Sequence, residues 1–171
     1  INEINYNSSD DFNPKDWIEI YNNGVDSVNI SGWFFTDENE DHRYTFPEHT
    51  IIHAGEYLLL AQDTSAFFNL FFPTSDVFGS FEFGLSGGGE LISLYDVSGR
   101  VVDQVEYDDN APWPIEPDGN GPTLELISPD IPNDIAGAWS FSSGHGTPGE
   151  QNSVFGSLDN EFEKTVPNKP Y

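Results

Sequence analysis

The chain has no cysteine and no methionine, and only five lysines and arginines stand against 30 aspartates and glutamates in its 171 residues. Without cysteine there is neither a disulfide framework nor a thiolate zinc site; the redox compartment stays open, because oxidising surroundings permit disulfides without requiring them. So few basic residues leave no positive stripe. A formal charge of −25 repels phosphate backbones and anionic headgroups, which argues against nucleic acid and membrane surfaces as partners. No apolar run approaches the roughly 18 residues of a spanning helix, so no membrane insertion is expected. No signal peptide is recognisable. The chain opens on Ile1 and reads as a mature fragment or a domain of a longer protein.

The acidity belongs to the main body of the chain: setting aside Asp159, Glu161, Glu163, Lys164 and Lys169 leaves −24 on residues 1–153. It suits a solvated surface in salty surroundings and leaves cationic partners and divalent cations open. The length allows one core without a metal or disulfide staple. β-Branched and aromatic runs of about four to eight residues, punctuated by Gly, Pro, Asn and Asp, predict an all-β sandwich. In residues 17–21, Trp-Ile-Glu-Ile-Tyr, alternation puts Ile18 and Ile20 on a core face and Trp17, Glu19 and Tyr21 on the other. Residues 90–95 and 101–107 predict a hairpin turned at 97–100, and 123–127 a further strand. Gly24, Gly32, Gly55 and Gly99 are read as turn glycines. Only residues 65–72 suggest a helix, capped by Thr64 and ended by Pro73. Phe67, Phe68 and Phe71 would share one face as a lid over the end of the sandwich. Beyond residue 153 the pattern fades, so the expected organisation is a domain over 1–153 and a linker or tail over 154–171.

Taken in order, Ile1-Asn-Glu-Ile4, Trp17-Ile-Glu-Ile-Tyr-Asn22, Ile30-Ser-Gly-Trp33, Tyr44-Thr-Phe-Pro47, Ala54-Gly-Glu-Tyr-Leu58, Phe83-Gly-Leu-Ser86, Val102-Asp-Gln-Val-Glu-Tyr107, Asp118-Gly-Asn-Gly121, Leu124-Glu-Leu126, Ala138-Trp139 and Gly144-His-Gly-Thr-Pro-Gly149 resemble the lamin tail domain, in its bacterial extracellular branch. The resemblance implies an immunoglobulin-like β-sandwich and an accessory role in a secreted or cell-surface protein. That role is a non-catalytic interaction or spacer module beside neighbouring domains of a longer chain, with a protein or glycan partner. Nuclear relatives bind DNA; the charge of this chain argues against that activity. A fold carries no function with it, so the residues are weighed separately.

Asp37-Glu-Asn39-Glu-Asp41, with Glu48 seven residues on, has the oxygen-ligand spacing of a calcium loop, although His42 stands where the sharp turn wants Gly and strand flanks it. Asp37, Asn39 and Asp41 are therefore the candidate metal ligands, with Glu38 or Glu40 as substitutes, and calcium the possible cofactor of an adhesion or carbohydrate-binding module. The alternative is a solvated hairpin tip. Two further acidic groups, Glu106, Asp108, Asp109, Asp118 and Asn120, and Asp130 with Asn133 and Asp134, lack ligand spacing. A metal-assisted hydrolase would need such carboxylates to converge. Gly84-Leu-Ser86-Gly-Gly88 matches a nucleophile elbow, but strand follows it where a helix is required. His49 and His53, in extended chain, stand roughly 13 Å apart, too far to share a metal. Trp113, between Pro112 and Pro114, is a candidate ligand-binding indole, or folds back onto the sandwich.

Overall fold

Alternation is realised where the sequence places it. In β2 (Trp17–Tyr21), Ile18 and Ile20 enter the main core. In the hairpin of β9 (Glu90–Tyr95) and β10 (Val101–Tyr107), Ile92, Leu94, Val105 and Tyr107 do the same. The computed structural model describes residues 1–39 and 41–157. The remaining strands there are β1 (Glu3–Asn5), β3 (Val28–Asn29), β4 (Phe34–Thr36), β5 (Arg43–Thr45), β6 (Ile51–Ile52), β7 (Tyr57–Ala61), β8 (Asp76–Gly79), β11 (Leu124–Leu126) and β12 (Trp139–Phe141). A six-stranded sheet, β12-β11-β1-β2-β7-β8, and a four-stranded sheet, β10-β9-β4-β5, supply the inner faces of the core, and β3 pairs with β6. The architecture is an immunoglobulin-like β-sandwich, as expected, with one short helix, α1 (Thr64–Phe68), and a 3₁₀ turn at Ala136–Ala138.

The outer face of the larger sheet departs from expectation. Period-2 logic gives Trp17 and Glu19 to solvent, yet both are fully buried. Two lids explain this. One follows from topology: β7 and β8 are parallel, and parallel neighbours need a crossover. That connection carries α1 over the sheet, where Phe67 and Phe71 pack on Trp17, Leu59 and Ala61 in a second small core. The helix thus covers the outer face, not the end of the sandwich. It is capped by Asp63 rather than Thr64. The Asp63 carboxylate accepts the N–H groups of Ser65 and Ala66 at 2.9 and 3.0 Å, a better acceptor than a neutral hydroxyl. Phe68, one residue round the helix from Phe67, is 45% exposed and does not share the buried face. The other lid is a strap, residues 143–157.

Candidate functional site

The β4–β5 turn holds the predicted calcium-loop residues in a closed local network. Asp37 accepts the Asn39 N–H at 2.7 Å, and its second oxygen lies 2.6 Å from His42 Nδ1. Asn39 accepts the Asp41 N–H at 3.1 Å, and its amide meets His42 Nε2 at 3.2 Å. The His42 ring stacks on Phe83. Glu38 turns away to accept the Leu91 N–H of β9 at 3.2 Å, and Asp41 and Glu48 are exposed. Among the described residues no group of three or more His, Cys, Asp or Glu side chains is placed to hold a metal ion.

The other acidic groups are likewise bonded to protein donors, within their own loops or from distant ones. Asp108 accepts the Asn110 N–H at 2.8 Å, which holds its carboxyl below the usual range, and Asp118 accepts the Asn7 amide at 2.6 Å. Asp130 bonds the Asn23 amide, whereas Asn133 donates to Asp103, so the third group is split between partners. Trp113 is half-buried against the core, 6.3 Å from Trp139 between ring centres. Ser86 lies in a turn leading into β9, its hydroxyl accepting the Gly88 N–H at 3.2 Å and its carbonyl the Tyr107 hydroxyl at 2.8 Å. His49 and His53 are exposed, the latter 2.8 Å from the Ser27 hydroxyl.

Three residues outside this set make the most unusual arrangement in the molecule. Glu125, Glu3 and Glu19 face one another in register across β11, β1 and β2, and all three are fully buried. Directly opposed like charges on neighbouring strands are unfavourable, and so is taking each out of water. The strap answers with donors. Thr147 N–H reaches Glu3 at 3.1 Å, and the Thr147 hydroxyl lies 2.7 Å from Glu125 and 3.4 Å from Glu3. Gly149 N–H meets Glu19 at 2.6 Å, and Ser153 Oγ and Val154 N–H meet Glu125 at 2.7 and 3.2 Å. Asn2 donates to Glu19 at 2.7 Å, and Thr123 to Glu3. Asn152 fastens the strap, donating to the carbonyls of Asn2 and Leu126 at 2.9 and 2.8 Å. Burial, then the charges of Glu19 and Glu125, push the Glu3 carboxyl well above its usual range; burial likewise pushes Glu19 up to about 8. The sequence does carry a signal for the row. Each glutamate is followed by an aliphatic residue inside a short strand, in Asn-Glu-Ile, Ile-Glu-Ile and Leu-Glu-Leu.

At one end of the sandwich a groove of about 280 Å³ opens between the sheets, walled by Ile20, Val28, Trp33, Ile52, Leu94 and Val102. The sequence comparison agrees with this sandwich: the family described as Lamin Tail Domain matches residues 1–109. The chain belongs to the lamin tail domain family. No curated protein matches it. The matched part of this lamin tail domain contains Glu3 and Glu19, whereas β11, β12 and the strap follow it. The family is an immunoglobulin-like module, which accords with a domain whose acidic side chains build its loops. Among the described residues no helix is long and apolar enough to cross a membrane.

Proposed function

We propose that this lamin tail domain is a non-catalytic interaction or spacer module of a secreted or cell-surface bacterial protein, docking on neighbouring domains of its parent chain or on a separate protein. One observation carries the reading. The end groove presents apolar walls, with Val102 44% exposed, on a molecule of net charge −25. An apolar recess on so acidic a surface marks a contact that excludes water. The extracellular setting rests on the motif resemblance and on an acidity that keeps a protein soluble in salt. The test is hydrogen exchange on the domain within its parent chain and on the domain alone. The reading expects slower exchange at Val28, Trp33 and Val102 in the parent, abolished by Val102→Asp; equal exchange in both settings removes docking on the parent chain.

A second reading, calcium-dependent adhesion or carbohydrate binding, is favoured by the nearly buried Asp37 carboxylate, 4% exposed, at the β4–β5 turn. Calcium there would be held by Asp37, Asn39 and Asp41 and would have to displace His42 from Asp37. Trp113 would be the indole for a sugar face. Titration with calcium and a glycan set, followed by heat and by thermal midpoint, decides between the two readings, because a ligand of the folded state must raise its stability.

A further inference from the structure

We propose that the strap over the outer face, residues 143–157, is a proton-controlled clasp. It is closed while at least one proton is retained within the Glu3–Glu19–Glu125 row, and it lets go of the sheet when all three carboxylates are ionised.

The geometry gives that proton a place. The Thr147 hydroxyl has a single hydrogen to give. At 2.7 Å from Glu125 Oε1 and 3.4 Å from Glu3 Oε2, it serves Glu125. Its oxygen then has a lone pair facing Glu3 Oε2, which takes only long contacts, the Thr147 N–H at 3.3 Å and the hydroxyl at 3.4 Å. A proton on Glu3 Oε2 completes the series: Glu3 donates to Thr147, and Thr147 donates to Glu125. Glu3 Oε1 already accepts from Thr123 and from Thr147 N–H, and Glu19 from Asn2 and Gly149. Hence Glu3 is the member with an oxygen best placed to carry hydrogen.

The surroundings do not neutralise the row. Among the described residues no lysine, arginine or histidine forms an ion pair with any of the three glutamates. The groups facing it are the Tyr57 phenol of β7, Ser140 of β12 and the α-amino group of Ile1, which draws Glu19 slightly down; the strap's own titratable side chains, His145 and Glu150, are exposed, the His145 ring stacked on Phe12. Ionising Glu3 therefore leaves three buried negative charges at cross-strand spacing, about 5 Å apart, under low-dielectric cover. The upward displacement of Glu3 and Glu19 agrees with this cost. The strap is the element that can yield, since every bond from Thr147, Gly149, Ser153 and Val154 to the row is made to a carboxylate oxygen. By contrast, β1, β2 and β11 are held by their own ladders.

The experiment is hydrogen exchange at the Thr147, Gly149 and Val154 amides from about pH 5 to about pH 9, corrected for intrinsic exchange, with Ile92 and Leu94 of β9 as reference. Protection of the strap is expected to fall at least about tenfold more than that of β9, as one released proton permits up to tenfold per pH unit. Glu3→Gln, which keeps a donor toward Thr147 but cannot ionise, should flatten the response; His145→Asn and Glu150→Gln should leave it intact. An infrared band of protonated carboxyls should persist at neutral pH in the wild type and lose its Glu3 component in Glu3→Gln, leaving that of Glu19. Should Glu3→Gln fail to fold, the wild-type exchange profile and band carry the test. Strap protection that tracks β9 across the range, a response abolished by His145→Asn or Glu150→Gln, or no protonated carboxyl at neutral pH overturns the proposal.

Discussion

Gly146 lies at φ +101°, and a β-carbon there would run into the Glu3 carboxylate and come within 3.0–3.1 Å of the Thr123 side chain. Both grounds demand glycine at the centre of the strap. Gly55 shares the left-handed region, at φ +76°, but has nothing within 4 Å of the same position. Gly146→Ala should therefore cost about 2–4 kcal/mol, against about 1 kcal/mol for Gly55→Ala, where backbone strain acts alone. Urea unfolding of the two variants checks this, and equal losses would mean that the strap does not press on Glu3. Asn152 is a second residue whose worth is set by burial. Asn152→Ala strands the Leu126 carbonyl and one hydrogen of the Asn2 amide, and a loss of about 2–3 kcal/mol is expected in the same measurement.

At the level of elements, α1 is too short to persist alone, since an isolated helix of under about 12 residues is marginal in water. Its existence depends on the β7-to-β8 crossover and on Phe67, which is completely buried against Trp17 and Phe71. Phe67→Ala should cost about 3–5 kcal/mol by leaving a cavity over the sheet, whereas Asp63→Ala should cost about 1 kcal/mol by removing the cap. Thermal unfolding of both variants tests the order. A larger loss from the cap would show that the helix is held by its end and not by its face. Elements of this kind are only partly legible in sequence. Residues 65–72 carry helical spacing, but spacing does not tell which sheet face a crossover will cover, because that follows from the parallel pairing of Leu58–Ala61 with Asp76–Gly79.

For the whole molecule, the buried carboxyls set the sign of the response to pH. Glu19 titrates near 4.5 when unfolded and near 8 when folded, and Glu3 is displaced the same way. The folded state thus holds protons that the unfolded state has released. The stability these groups contribute is fully present below about pH 4.5 and is lost as pH rises through about 8. Asp16, raised by burial to about 6, adds to the decline from about 4 to 6. Asp96, drawn down to about 2 by the Ser98 hydroxyl and the Arg100 N–H, acts oppositely and only under strong acid. The thermal midpoint should therefore rise on acidification from about pH 8 to about pH 5. Relief of the general negative charge works in the same direction, so Glu3→Gln is the control: its slope should be the shallower one, and parallel slopes would assign the effect to net charge alone.

The β-sandwich, the β9–β10 hairpin and the Ile18/Ile20 core face are legible in the chain because each depends on neighbours two residues apart, a distance over which pleat and turn chemistry act locally. The same alternation misplaces Glu19, since a period of two separates the faces of a strand without telling what lies over them. Glu3, Glu19 and Glu125 come from strands far apart in sequence, and their meeting is decided by the order β11-β1-β2 and by a strap that closes over them from residue 143 onward. Local pattern thus marked the longer strands, such as β2, β7, β9 and β10. Only the packing of distant segments decided that three of the acids on so acidic a chain would leave water, because burial is a property of what covers a side chain and not of the side chain alone.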